Sequence, residues 1–165
     1  VVFIGHLHFD RAGGLKELRR CGCGAELHVQ RDEWVAATSG ADGAVFQDDL
    51  LDDHGKPLQF TLHHGEYAVL PGIEAIATPG HTAGHMSLWI ERPGGPPVLL
   101  CGDAADLQEN LDDEVAPGTL WQGREAQAVE SIRKLKALAR ETGATLWPNH
   151  DMAFWRGLTA GDPTP

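Results

Sequence analysis

His6-Leu7-His8-Phe9-Asp10 follows the apolar run Val1-Val2-Phe3-Ile4, and this junction of strand and polar turn sets the reading of the whole chain. Four consecutive apolar residues read as a buried strand of a larger sheet. Imidazole and carboxylate groups suit zinc and similar divalent ions. Two histidines at i, i+2 in a turn can hold one ion, while Asp10 points to a second. Gly13-Gly14 then lets the backbone turn tightly. The alternative for so short a pattern is a chance cluster of satisfied polar residues.

Three further polar clusters stand directly after apolar stretches. Residues 80–85 follow a strand over 73–78, residues 102–106 follow one over 97–101, and residues 149–151 follow one over 144–147. Strand ends lie together at one edge of a sheet. A sheet can therefore gather His6, His8, Asp10, His81, Asp103 and His150, which are far apart in the chain. Each alone is more often structural than catalytic; four clusters at four strand ends point to one shared metal site.

Between the clusters the pattern is that of an α/β chain. A short helix is predicted over 14–20, a strand over 25–30, and a helix over 31–38 with Asp32 as its N-cap. Residues 39–64 have little periodicity and read as an insertion or lid. Strands over 67–70 and 73–78 form a hairpin around Pro71-Gly72, and strands over 87–91 and 97–101 form another. The longest helix spans 124–142, with Ala126, Val129, Ile132, Leu135 and Leu138 as its apolar stripe and Gly143 as its stop. No internal repeat or linker divides the chain, so residues 1–165 read as a single domain. The chain opens mid-element without an initiator methionine, and we expect it to be the C-terminal part of a longer protein.

Composition narrows the function. The 165 residues are 42% hydrophobic and 22% charged, an ordinary globular balance, with net charge -11. Such a surface repels phosphate backbones and anionic membranes, which argues against nucleic acid and membrane partners. No apolar run approaches the roughly 20 residues of a membrane span. Cys21 and Cys23 lack the CxxC spacing, and with Cys101 they read as reduced thiols of a cytoplasmic protein. There is no Ser-His-Asp order and no phosphate-cradling glycine motif.

The order HxHxD, GHTxGH, GDA, HD resembles the metallo-β-lactamase superfamily, and within it most closely the N-acyl homoserine lactonases. His6 to Asp10 with Ala12-Gly13-Gly14 is similar to the first motif, and Thr78-Pro79-Gly80-His81-Thr82-Ala83-Gly84-His85-Met86-Ser87-Leu88 to the second. Gln108-Glu109-Asn110 and Ser131-Ile132-Arg133-Lys134-Leu135 fall where that family has similar segments. The resemblance implies an αββα sandwich whose N-terminal strands would precede Val1. It implies one or two Zn2+ ions: His6, His8 and His81 on the first, Asp10 and His150 on the second, Asp103 bridging. His85 would orient a ligand or the loop. The implied reaction is attack of metal-bound hydroxide on a small ester or lactone, and a homodimer is compatible with it.

Two residues depart from that family. Arg11 stands where it has a histidine, and a guanidinium cannot donate a lone pair to zinc. The β-lactamases proper often carry Arg there, but they place a Cys where this chain has Asp103. At ~4 Å and an effective dielectric of about 20, unit charges interact by ~4 kcal/mol, so Arg11 should weaken the second site unless it swings away or pairs with a carboxylate. Asp106 stands where lactonases place a tyrosine that bonds the substrate carbonyl. It could serve catalysis only if it stayed protonated. The competing readings are another metallo-hydrolase, cleaving thioesters, phosphoesters or β-lactams, and a degenerate, catalytically impaired paralogue. His28, His54, His63 and His64 read as surface or satisfied residues, Cys101 as core, and Trp121 as a pocket wall.

Overall fold

Short runs of β-branched and aromatic residues, broken by Gly and Pro, give two sheets in the computed structural model, which describes residues 1–159. The first sheet is β1 (Val2–Phe3), β2 (Leu27–Gln30) and β3 (Phe60–His63), all parallel, with Val2 opposite Leu27 and Leu27 opposite Phe60. The second is β4 (Tyr67–Leu70), β5 (Ile73–Ala77), β6 (Met86–Ile90), β7 (Val98–Leu100) and β8 (Thr145–Trp147), in that order. Neighbours from β4 to β7 are antiparallel, whereas β7 and β8 are parallel. It follows that β5, β7 and β8 run the same way, and their C-terminal ends share one edge. The Met86 N–H donates to the Gly5 carbonyl (2.9 Å) and ties that edge to the end of β1.

Six α-helices accompany the sheets in the described chain: α1 (Phe9–Ala12), α2 (Leu15–Arg20), α3 (Arg31–Thr38), α4 (Gln108–Asp112), α5 (Glu125–Thr142) and α6 (Met152–Thr159). One core, with Leu7, Leu15, Leu27, Val29 and Ala37, lies under α2 and α3 on the first sheet. The other, with Leu99, Cys101, Leu111, Ile132 and Leu135, lies under α5 on the second. This is the expected mixed α/β architecture with helices on both sheets.

Four local expectations are corrected. The turn after His8 is the short helix α1, and Gly13 and Gly14 have helical dihedrals rather than a tight-turn conformation. Gly13 is required by space: a Cβ there would sit 2.6 Å from the Phe9 carbonyl oxygen. The cap of α3 is Gln30, whose side chain accepts from the Asp32 and Glu33 amides, not Asp32. Residues 39–64 are neither insertion nor lid in packing terms, since they supply β3 and bury Val45, Leu50 and Leu58 in the first core. Because β3 pairs in parallel with β2, no hairpin signal stands beside it in the sequence.

The fourth concerns α5, which buries Ala128, Ser131, Ile132, Leu135 and Ala139, while Ala126 is exposed and Val129 and Leu138 are half-buried. The reason is a close approach. Gly80 has φ +143, and a Cβ on it would lie 2.5 Å from the Ala128 Cα. Ser131 Oγ donates to the Pro79 carbonyl (2.7 Å). Small residues therefore face the loop after β5, where the periodicity placed larger ones.

Candidate metal centre

The sheet edge brings three imidazoles together. The ring centroids of His6, His8 and His81 form a triangle with sides of 4.8 Å. His81 donates Nδ1–H to the Thr119 carbonyl (3.0 Å), which leaves a lone pair on Nε2. His8 donates Nε2–H to Asp42 Oδ2 (2.9 Å), which leaves a lone pair on Nδ1. Those two bare nitrogens face each other at 3.1 Å. The buried Nε2 of His6 has no hydrogen-bond partner. Lone pairs converging with no proton between them need a cation, so the donor set fits a divalent ion such as zinc.

A buried carboxylate clamps the two loops that carry these rings. Glu33, in the first turn of α3, accepts from the Leu7 N–H (2.8 Å) and the Gly84 N–H (3.0 Å). Leu7 lies between His6 and His8; Gly84 lies between His81 and His85. The fit is tight, because a Cβ on Gly84 would stand 2.2 Å from the Glu33 nitrogen. Burial pushes the Glu33 carboxyl above its ordinary range, opposed by these amide donors. Sequence reasoning missed Glu33 and Asp42; only glutamate on the packed side of a helix could have signalled the first.

His85 serves the backbone of Asp103. Its Nε2 accepts the Asp103 N–H (3.0 Å), so its proton sits on Nδ1 and goes to Thr78 Oγ1 (2.9 Å). Ser87 Oγ donates to the Cys101 carbonyl (2.7 Å), so Thr78 Oγ1–H must donate to Ser87 Oγ (2.8 Å). The chain of bonds leaves and re-enters the turn after β7. Although His85 lies near His6 and Asp103, its lone pair is already spent. Cys101 is buried core, as expected, and burial pushes its thiol up to about 12.

The acidic half of the site is asymmetric. Asp103 Oδ2 faces the imidazoles, 3.3 Å from His81 Nε2 and 3.7 Å from His6 Nε2. Its Oδ1 accepts from Arg11 (2.7 Å) and from Asn149. Burial opposes its ionisation, but His6 and Arg11 outweigh this and hold the carboxyl well below its usual range. Asp10, Asp103 and His150 offer a second group of ligand atoms. Asp106 has a buried Oδ1 without a partner, and burial followed by the charge of Asp103 raises its pKa.

Two cavities flank the centre. One of about 250 Å³ is lined by His8, Asp42, His81, Thr119 and Trp121, which places Trp121 in a pocket wall as expected. The other, about 280 Å³, is lined by Phe3, His6, Arg11, Trp147, Asn149 and Trp155. His28 and His63 bond each other (2.9 Å) away from these walls.

Residues 1–150 match the model of the metallo-β-lactamase superfamily, and the chain belongs to it. Within that superfamily it is similar to an N-acyl homoserine lactonase of a Bacillus species, at 33% identity over 157 residues, 94% of this chain and 57% of that protein. Two solved structures are also similar. A variant of AiiA from B. thuringiensis with N-decanoyl-L-homoserine at its active site has TM-score 0.80 and 30% identity, over 94% of this chain and 57% of that one. An N-acyl homoserine lactone hydrolase with N-hexanoyl-L-homoserine at its catalytic metal centre has TM-score 0.78 and 31% identity, with the same coverage. The chain thus spans a little over half the length of these relatives.

Two predictions follow from the clamp and the imidazoles. Glu33→Ala leaves two buried amides without an acceptor and should destabilise the protein by about 2–5 kcal/mol in denaturant titration. An unchanged midpoint would mean that the loops are held otherwise. Burial first, then neighbouring histidines, hold His6 down to about 2 and His85 down to about 3 from an ordinary 6.5. The unfolded chain takes up these protons below about 6.5 and the folded chain does not. Metal-free stability is therefore complete above that pH and falls as pH drops, by about 1.4 kcal/mol per unit for each histidine. Unfolding midpoints in chelator at pH 7, 5.5 and 4.5 test this, and a flat profile would contradict it.

Proposed function

We propose that this chain carries the metal centre of a metal-dependent hydrolase, with zinc as the ion and a lactone such as an N-acyl homoserine lactone as the substrate. The observation that carries this reading is the convergence of the His6, His8 and His81 ring nitrogens beside Asp103. His6, His8 and His81 would hold the ion, with Asp103 alongside, and Asp10 and His150 on the outer side. A divalent ion held there supplies Lewis acidity and lowers the pKa of water to near neutrality.

The remaining chemistry belongs to side chains. Asp10, whose side chain is 35% exposed, would take a proton from attacking water at a carboxylate oxygen. Asp106 has an unpartnered buried oxygen and a carboxyl pKa raised by burial and by Asp103, and it stands where lactonases use a tyrosine to bond the substrate. The two cavities would take the ring and the acyl portion. Homoserine products bound in the similar solved structures support a lactone over other esters, and a panel of lactone, thioester, phosphoester and β-lactam substrates separates these. The impaired-paralogue reading draws support from Arg11 on Asp103. The free thiols Cys21, Cys23 and Cys101 are compatible with the cytoplasm. Among the described residues no helix is long and apolar enough to cross a membrane.

Asp103→Ala should lower kcat/KM by about a hundredfold or more, since it removes the carboxylate facing the histidines. Retained turnover would sink the scheme. Asp106→Tyr should raise lactone turnover several-fold; no gain would place Asp106 away from the reacting carbonyl.

A further inference from the structure

Asp10, Asp103 and His150 bring one ligand atom each within 4.8 Å of one another, the arrangement of a second ion site. Its donor atoms are already engaged. Arg11 sits one residue after Asp10 in α1, with its amide bonded to the His8 carbonyl (2.9 Å), so the side chain starts beside the acidic group. Its Nη2 donates to Asp103 Oδ1 (2.7 Å), and its Nε lies 3.5 Å from Asp10 Oδ2.

The Asn149 amide donates to the same Asp103 oxygen, which spends both lone pairs of Oδ1. It also meets Nε2 of His150 at 3.0 Å, so the imidazole lone pair accepts that N–H. A second dication would have to expel a permanently charged guanidinium from a carboxylate whose side chain is only 7% exposed.

Resting on the proposed metal-dependent reading, we infer that Arg11 is the built-in occupant of the second cation position and that the chain binds one ion, not two. Asp103 then does not bridge. Its Oδ2 turns to the three-histidine ion while Oδ1 anchors Arg11 and Asn149. The single positive charge of the guanidinium stands where a second divalent ion would otherwise balance Asp10 and Asp103.

The test is zinc stoichiometry of the full-length protein, by native mass spectrometry and elemental analysis in zinc-buffered solution. Wild type should hold one zinc per chain. Arg11→Ala and Arg11→His should each hold two, with circular dichroism showing that both are folded. Two tightly held zincs in the wild type would overturn the inference without any variant. A second zinc in Arg11→His alone would overturn it too, because the position would then lack a ligand rather than be filled. One zinc in all three would do the same. No zinc in folded wild type would overturn the metal-dependent reading itself, and the inference with it.

Discussion

A ring nitrogen can offer its lone pair to a cation only while the ring stays neutral and its other nitrogen is held. The rest of this site depends on that constraint. Asp42 holds the outer nitrogen of His8 and the Thr119 carbonyl holds that of His81. Burial keeps His6 unprotonated. Nothing in the ligand motifs specifies Asp42 or Thr119; they come from segments more than thirty positions away. The chemistry is therefore a property of the fold as much as of the HxHxD and GHTxGH motifs.

Two devices transmit that order to the backbone. Glu33 joins the loops of the first and second motifs through their amides. The His85–Thr78–Ser87 chain fixes the turn that carries Asp103. The close contacts at Gly80, Gly84 and Gly102 serve the same end, since a side chain at any of them would strike Ala128, Glu33 or His85. Tolerance for error at the centre is low, as expected where groups must hold positions to a fraction of an ångström.

Much of this was legible in the sequence. The strand-then-cluster pattern pointed to six residues that the structure gathers at one sheet edge, with His6, His8 and His81 in one candidate group and Asp10, Asp103 and His150 in another. The hairpins and the long helix were recovered because Pro71-Gly72 and Gly143 are strong punctuation. What was missed has physical reasons. β3 pairs in parallel with β2, so no adjacent turn announced it. The buried face of α5 is set by a close approach to Gly80 that periodicity does not encode. Glu33 and Asp42 look like ordinary surface acids until a tertiary contact gives each a donor. Arg11 was seen as a departure, but only the geometry shows which carboxylate it meets.

The pairing of β7 with β8 has a kinetic meaning. The strand that leads to His150 docks beside the one that leads to Asp103 only after the long helix has crossed over, and β1 must meet β2 and the edge at Met86 independently. Contacts between such distant parts of a chain form slowly, because loop closure precedes any gain from the contact. The cluster spanning His6 to His150 can exist only when both sheets are assembled. Ion capture at this cluster would thus mark the completion of folding rather than its beginning.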